Sequence, residues 1–288
     1  MDKMNCKARA KVNLGLDVCR RLENGYHEVK MIMQTVDIYD ELEFIKRKDP
    51  DIILSVDSDD SLGDISNNLI FRAAKLMREY FSIKEGIEIY LKKNIPVAAG
   101  MAGGSTDAAA TMLAMNEIFE LGQTKEQLMN LALRLGADIP FCIMGGTALA
   151  EGIGEKLTPL PAPPQAYVLI AKPPIMVSTK DVYENLHADK LKNHPDIDGM
   201  VTALNEGDLG GITDRMENVL ETVTVSLYPV IDEIKQFMKE HGAVNSLMSG
   251  SGPTVFGIYN QKEDADIAAS ELAKTKKARD IQVTKFYN

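Results

Sequence analysis

The segment from Cys6 to Val18 carries an apolar residue at every second position, and this alternation constrains the fold more than any other feature of the sequence. It predicts a long strand, because successive side chains of a strand point to opposite faces. The apolar face predicts contact with a hydrophobic core. The opposite face carries Lys11 and Asn13, which are two positions apart and are therefore expected to project together from the side away from the core.

Strand-like and helix-like periodicities are interspersed along the rest of the chain without strict alternation, which favours an α+β fold. Thr124 and Gln127 predict a capping box at the start of a helix that Gly136 is expected to end. Further strands are predicted at 30–45, 86–91, 167–171, 254–259 and 281–286, and further helices at 67–81, from about residue 107, and at 180–187, 230–241 and 263–274. The proline-dense segment 159–165 predicts a boundary between two domains, residues 1–160 and 161–288.

The formal net charge of -10 excludes several classes of partner. An acidic chain repels phosphate backbones and anionic lipid, so neither nucleic acid nor a membrane surface is expected to bind. No apolar run approaches the roughly 18 residues of a spanning helix, and residues 1–5 lack the apolar core of a signal peptide, so we expect a cytoplasmic protein. Cys6, Cys19 and Cys142 lack metal-ligand spacing and are expected to be reduced thiols, and the four histidines are scattered, so no transition-metal site is expected. The sequence does not predict an oligomeric state.

A glycine-rich turn that opens a helix is the strongest candidate for a binding site. Its glycines, Gly100, Gly103 and Gly104, permit close approach of a ligand to the backbone, and the start of the helix offers unpaired N–H groups. These features predict a phosphate cradle. The turn lacks the Gly-Lys-Ser/Thr ending of a Walker loop and the glycine spacing of a dinucleotide-binding fingerprint. The alternative is an ordinary tight turn capped by Ser105 or Asp107.

A carboxylate and an ammonium group are candidates for the chemistry. Asp138 follows a predicted helix and is flanked by apolar residues, which indicates a partly desolvated carboxylate that could orient or deprotonate a hydroxyl. Lys11 could hold that carboxylate ionised and stabilise developing phosphoryl charge. The alternative is a turn-capping Asp and a solvated strand Lys.

Two further segments carry residues suited to ligand binding. Tyr26 and His27 follow the Asn24-Gly25 turn and could stack on a planar base or donate hydrogen bonds to it, although such a pair can also cap the edge of a core. The segment Ser249–Gly252 is a second glycine-flexible loop before a predicted strand, for which a plain turn is equally compatible.

Three separated segments resemble the three signature motifs of the GHMP kinase superfamily. They are residues 7–14 (KARAKVNL), 96–108 (PVAAGMAGGSTDA) and 247–257 (LMSGSGPTVFG). Within the superfamily, residues 24–27, 33–37, 136–140 and 151–157 resemble the members that phosphorylate a cytidine diphosphate-linked methylerythritol. The resemblance implies a two-domain fold with an amino-terminal domain like ribosomal protein S5 domain 2 and a ferredoxin-like carboxy-terminal domain.

The same resemblance implies an activity and a set of site residues. The activity would be transfer of the γ-phosphoryl of Mg-ATP to the 2-hydroxyl of that alcohol in non-mevalonate isoprenoid synthesis, with ATP and catalysis in the first domain and the substrate side in the second. Lys11 and Asp138 would be catalytic, and Ser105 would be a ligand of Mg²⁺. Asn13, Tyr26, His27 and Tyr183 would bind the acceptor. The implied ATP-binding residues are Pro96, Val97, Ala98, Ala99, Gly100, Met101, Ala102, Gly103, Gly104, Ser105 and Thr106.

Three other functions are compatible with such a chain. A related kinase would act on another alcohol, such as homoserine or mevalonate. A silent nucleotide-binding relative would keep the fold without the chemistry. A decarboxylase of the same superfamily would also consume ATP, but it would release carbon dioxide in place of a phosphomonoester.

Overall fold

Two long strands begin the chain in the computed structural model, which describes residues 2–58 and 64–288. Met1, which belongs to the segment of the signal-peptide prediction, lies outside the described residues. The ten strands of the described residues are β1 (Lys3–Arg21), β2 (His27–Arg47), β3 (Ile52–Asp57), β4 (Gly86–Lys92), β5 (Thr147–Gly152), β6 (Lys156–Leu160), β7 (Tyr167–Lys172), β8 (Asn245–Met248), β9 (Val255–Tyr259) and β10 (Asp280–Lys285).

Ten α-helices lie within the same described ranges. They are α1 (Leu69–Tyr80), α2 (Gly103–Ile118), α3 (Lys125–Ala132), α4 (Ile139–Met144), α5 (Thr179–Asn185), α6 (Ile197–Glu206), α7 (Leu209–Asp214), α8 (Glu221–Leu227), α9 (Val230–Glu240) and α10 (Lys262–Thr275). Short 3-10 turns occupy Ile65–Asn67 and Ala188–Lys190. The predicted α+β class is confirmed. None of the described helices is both long enough and apolar enough to cross a bilayer.

The chain divides into two compact units that do not follow the sequence linearly. The first is drawn from Met1–Ala10, Ile38–Val97 and Ala102–Gly145, and the second from Lys11–Asp37, Ala98–Met101 and Gly146–Asn288. The predicted domain boundary after residue 160 coincides with the end of β6. The assignment of separate functions to residues 1–160 and 161–288 stays a prediction.

The first unit packs helices against a sheet. β3 runs parallel to β4, and β4 pairs antiparallel with the later part of β2, where Glu41 lies opposite Lys92. α1 and α4 both contact α2. Because α2 has neighbours on several sides, residues 106–112 are all buried, whereas its periodicity predicts only a single apolar stripe. Asn68 caps α1 through its side chain, and Thr124 and Gln127 form the predicted capping box of α3.

The predicted end of α3 is wrong by one turn. The helix ends at Ala132, and the N–H groups of Leu135 and Gly136 both donate to the carbonyl of Ala132. Gly136 therefore lies in a turn that follows the helix and does not end the helix itself.

The second unit contains a four-stranded antiparallel sheet in the order β10-β7-β9-β8. Every residue of β9 is buried, and α9 and α10 pack on the sheet. The early part of β2 pairs with β5, which pairs with β6. The backbone of Leu16 in β1 bonds to residues 217 and 219, so the later chain is fixed to the first strand.

The strand β1 is longer than its alternating segment, and its second face is not solvated. Lys11 is 5% exposed and Asn13 is fully buried, so the prediction that they project away from a core is wrong. A Cβ built on Gly15, which points to the same side of the strand, would lie 2.8 Å from Ile197 and 3.2 Å from Met200. Helix α6 therefore covers this face.

Candidate active site

The helix α2 begins without a side-chain cap. Its N-cap is Ala102, which has left-handed dihedral angles (φ 57°, ψ 28°) and cannot accept a hydrogen bond through its side chain. Ser105 is the third residue of the helix and Asp107 lies buried inside it, so the alternative in which either residue caps the turn is wrong. A helix of 16 residues whose first N–H groups lack a side-chain cap is a favourable site for an anion.

The turn before α2 has positive φ at alternate positions. The values are 50° at Ala98, 70° at Gly100 and 57° at Ala102. Left-handed conformations cost free energy for residues with a Cβ, and they persist where the surrounding structure enforces them. Alternation of this kind orients successive backbone N–H groups into a concavity that binds anions. Left-handed residues at alternate positions are therefore a feature that this turn shares with anion-binding loops.

Gly100 lies against the second glycine-rich loop, Ser249–Gly252. A Cβ on Gly100 would lie 2.2 Å from the carbonyl oxygen of Ser249, and the Ser249 hydroxyl donates to the Gly100 carbonyl at 3.0 Å. A Cβ on Gly250 would lie 3.2 Å from the same Gly100 carbonyl. The second loop is therefore docked on the first and is more than a plain turn.

Gly103 and Gly104 differ in how much space surrounds them. A Cβ on Gly103 would lie 3.0 Å from Lys93 Nζ and 3.1 Å from a side-chain carbon of Ile95, so these neighbours would have to move slightly to accommodate a side chain. A Cβ on Gly104 would meet only Leu69, at an ordinary 3.5 Å, and the residue is exposed. A Cβ is therefore accommodated at Gly104 without a close contact.

A cluster of buried charged residues, which the sequence patterns did not predict, lies next to the start of α2. Lys93 Nζ forms an ion pair with Asp107 at 2.8 Å and a second one with Asp40. Asp40 also accepts hydrogen bonds from the backbone N–H groups of Asn94 and Ile95. Burial raises the pKa of Asp107 to about 8, although Lys93 acts to lower it. Burial lowers the pKa of Lys93, but the two carboxylates outweigh this effect and raise the pKa above its ordinary value.

Lys11 and Asn13 are brought together as predicted. Lys11 Nζ donates to Asn13 Oδ1 at 2.8 Å, and Asn13 Nδ2 contacts the sulfur of Met31 at 3.2 Å. The backbone N–H of Lys11 donates to the carbonyl of Met101 at 3.2 Å. The strand that carries Lys11 is therefore bonded directly to the glycine turn.

Asp138 is the N-cap residue of α4 in the first unit and is half-buried. Its side chain makes no capping hydrogen bond to that helix. Lys11 belongs to the second unit. The predicted influence of Lys11 on Asp138 stays a prediction.

His27 and Tyr183 are in contact. Their ring centroids are 5.2 Å apart at an interplanar angle of 41°. Burial, and then the charge of Arg21, lower the pKa of His27, which favours the neutral imidazole with one donor and one acceptor. Tyr26 is 59% exposed, so it does not cap a core, and its ring is available for stacking.

Two family models match the chain over more than half of its length. The model described as GHMP kinases N terminal domain matches residues 68–146, which include the glycine turn, α2 and Asp138. The model described as GHMP kinases C terminal matches residues 200–278, which include Ser249–Gly252. The chain belongs to the GHMP kinase family, and it is a kinase.

Comparison with individual proteins gives a narrower likeness. The chain is 50% identical to the 4-diphosphocytidyl-2-C-methyl-D-erythritol kinase of Lachnospira eligens, over 100% of this chain and 99% of that protein. A solved 4-(cytidine 5'-diphospho)-2C-methyl-D-erythritol kinase superposes with a TM-score of 0.83 at 31% identity, covering 99% and 100% of the two chains. The homoserine kinase of Cytophaga hutchinsonii has a TM-score of 0.78 at 23% identity, covers 99% and 94%, and shares the fold. The predicted two-domain GHMP kinase fold and the resemblance to the methylerythritol kinases are confirmed.

Proposed function

We propose that this chain transfers the γ-phosphoryl group of ATP to the 2-hydroxyl of 4-diphosphocytidyl-2-C-methyl-D-erythritol, a step of non-mevalonate isoprenoid synthesis. The observation that carries the phosphoryl chemistry is the start of α2, which has no side-chain cap and follows a turn with left-handed residues. The choice of acceptor rests on the full-length likeness to kinases of that name.

The glycine turn binds the phosphates of ATP. Residues 96–106 would contribute mainly backbone N–H groups, and the dipole of α2 would favour the negative charge. The exposed position of Gly104, which has space beside it, supports contact with a ligand at this point. The turn thereby fixes the γ-phosphoryl for in-line attack, which is most of what phosphoryl transfer requires of a protein.

Ser105 fits a role in holding Mg²⁺. Its hydroxyl lies in the first turn of α2, and the described residues contain no group of three or more His, Cys, Asp or Glu that could hold a metal by themselves. That pattern suits a cation held by substrate phosphates with few protein ligands. When bound, Mg²⁺ supplies neutralisation of the phosphate charge.

Asp138 and Lys11 act at the reacting atoms. Asp138 orients the 2-hydroxyl and accepts its proton, a role that suits a half-buried carboxylate. Lys11, whose ammonium is held by Asn13, stabilises the charge on the transferred phosphoryl group.

Tyr26, Tyr183 and His27 bind the cytosine. Because the ring centroids of His27 and Tyr183 are only 5.2 Å apart, no base fits between those two rings, and the base stacks on Tyr26 and on Tyr183. The neutral imidazole of His27 reads the edge of the base, and Asn13 contributes to the acceptor side. The proposal also includes a functional division into residues 1–160 and 161–288, a cytoplasmic location and no nucleic-acid partner.

A substrate panel tests the proposal. The purified protein is incubated with ATP and, in turn, 4-diphosphocytidyl-2-C-methyl-D-erythritol, its uridine analogue, homoserine and mevalonate, and ADP, phosphomonoester and carbon dioxide are measured. We expect a 2-phosphomonoester from the first alcohol with a kcat/KM at least about a hundred times that for homoserine or mevalonate. Faster turnover of either of those alcohols, or release of carbon dioxide, would reject this acceptor.

A further inference from the structure

We propose that Asn218 is a positioning residue for the phosphoryl transfer, because its buried carboxamide holds the loop Ser249–Gly252 in the position that shapes the glycine turn at Gly100. This inference rests on the proposed function, in which the ATP phosphates lie at that turn. Asn218 lies between α7 and α8, outside the segments that resemble the superfamily motifs.

The side chain of Asn218 is fully used in backbone contacts. The residue is 2% exposed, and its Nδ2 donates to the carbonyls of Met248 and Gly250, each at 2.8 Å. Its Oδ1 accepts a hydrogen bond from the N–H of Leu220 at 3.0 Å. Both N–H bonds of one amide thus hold two carbonyls that flank Ser249.

The backbone around Asn218 is fixed to the first strand. The N–H of Leu16 donates to the carbonyl of Glu217 at 2.9 Å, and the N–H of Val219 donates to the carbonyl of Leu16 at 3.0 Å. Leu16 belongs to β1, which also carries Lys11 and is bonded to Met101 of the glycine turn. Asn218 therefore places the second loop in a fixed register with the strand that bears the proposed catalytic ammonium.

A shift of the loop Ser249–Gly252 would displace the glycine turn directly. Ser249 contacts Gly100 so closely that no Cβ fits between them, and its hydroxyl donates to the Gly100 carbonyl. A Cβ on Gly250 would lie 3.6 Å from Asn13 Oδ1 and 3.2 Å from the Gly100 carbonyl. The close approaches of the Ser249 carbonyl to Gly100 and of the Gly100 carbonyl to Gly250 involve backbone atoms, which cannot move aside by a change of rotamer.

Replacing Asn218 by Ala would leave the Met248 and Gly250 carbonyls without their Asn218 donor. Such groups recover hydrogen bonds by moving, because leaving a buried acceptor unpaired is costly. We therefore expect Asn218→Ala to raise the KM and the Kd for ATP by about ten-fold or more, while the KM for the acceptor changes less than about two-fold.

Asn245 provides a matched control. Its Nδ2 donates to the Thr213 carbonyl at 2.7 Å and its Oδ1 accepts from the N–H of Ser246 at 2.8 Å, so it makes the same kinds of bond at the other end of β8. Asn245→Ala should lower the melting temperature without changing the KM for ATP. A purely structural role for Asn218 would make the two variants alike.

The experiment measures ATP binding by calorimetry, both Michaelis constants and thermal unfolding for the unaltered protein, Asn218→Ala and Asn245→Ala. Calorimetry does not depend on the acceptor, so a protein that binds ATP but leaves the methylerythritol unphosphorylated would reject the proposed function and still test Asn218. Unchanged ATP affinity in folded Asn218→Ala, or an equal loss in Asn245→Ala, would overturn the inference.

A measurement on the unaltered protein covers the case in which Asn218→Ala does not fold. Hydrogen exchange is followed with and without ATP at residues 98–104 and 248–252. We expect ATP to slow exchange in both segments together. Slower exchange at 98–104 with no change at 248–252 would show that ATP binding at the glycine turn does not affect the second loop, and would overturn the inference.

Discussion

The ammonium of Lys11 donates a hydrogen bond to Oδ1 of Asn13 at 2.8 Å, although both residues are buried in a strand whose neighbouring positions are apolar. A buried cation that is retained in this way needs a compensating role, because its desolvation is costly. In the proposed function, that role is stabilisation of the transferred phosphoryl group, which is anionic.

Replacement of Lys11 by Met should therefore abolish most turnover. We expect kcat to fall by about a hundred-fold or more, since the charge stabilisation is lost while the apolar part of the side chain remains. Lys7→Met is the control, because Lys7 is exposed on the same side of β1. A folded Lys11→Met protein with kcat within about three-fold of the unaltered value would exclude Lys11 from the chemistry.

Gly104→Val should weaken ATP binding with little loss of stability. A side chain at this position meets only Leu69 at an ordinary distance, so the effect on affinity would arise from the ligand. Gly210→Val is the control, because Gly210 is also an exposed second residue of a helix, α7. Calorimetry should show at least about ten-fold weaker ATP binding for Gly104→Val alone, and unchanged affinity would place the cradle elsewhere.

The glycine turn illustrates how far sequence reasoning reaches. Glycines before an apolar helix were enough to predict a phosphate cradle, because both features are local. The capping alternative with Ser105 or Asp107 was wrong because both residues lie inside α2, where Asp107 pairs with Lys93 of the preceding strand-to-turn segment. Pairing of this kind depends on the tertiary fold and leaves no periodic signal.

The first strand shows the same limit. Alternation predicted the strand and the shared side of Lys11 and Asn13, but it also predicted exposure of that side. Helix α6 covers that side at Gly15 through Ile197 and Met200, which come from the far part of the chain, and Met31 contacts Asn13. Asn218 was missed for a related reason, since its importance lies entirely in hydrogen bonds to distant backbone carbonyls.

Loss of Lys93 should destabilise the protein. Lys93→Met would leave Asp40 and Asp107 buried without their cation, and breaking a buried ion pair costs about 3–5 kcal/mol. Urea unfolding at about pH 9, above the pKa of about 8 that Asp107 has in the folded protein, should show a decrease of this order in the free energy of unfolding. Adding Asp107→Asn should restore part of it, and a decrease below about 1 kcal/mol in the single variant would contradict a compensating role for Lys93.

Tyr183→Ala should raise the KM for the cytidine-linked acceptor and leave the KM for ATP unchanged. The loss of one stacking face, on the order of 1 kcal/mol, corresponds to about a five-fold increase. Replacing His27 by Ala should mainly reduce the preference for cytosine over uracil. Equal changes in both Michaelis constants for Tyr183→Ala would instead indicate that Tyr183 only packs α5 onto its surroundings. Tyr287→Ala is the control, because Tyr287 lies outside the proposed site.

The most direct test of the account is the kinetics of Asp138→Asn. The substitution keeps the shape of the side chain and removes its capacity to accept the hydroxyl proton, so we predict a fall in kcat of about a hundred-fold or more with ATP affinity within a few-fold of the unaltered value. Asp208→Asn is the matched control, because Asp208 is also an N-cap residue without a side-chain capping bond. Near-normal turnover by a folded Asp138→Asn protein would contradict the assignment of Asp138 as the group that activates the acceptor.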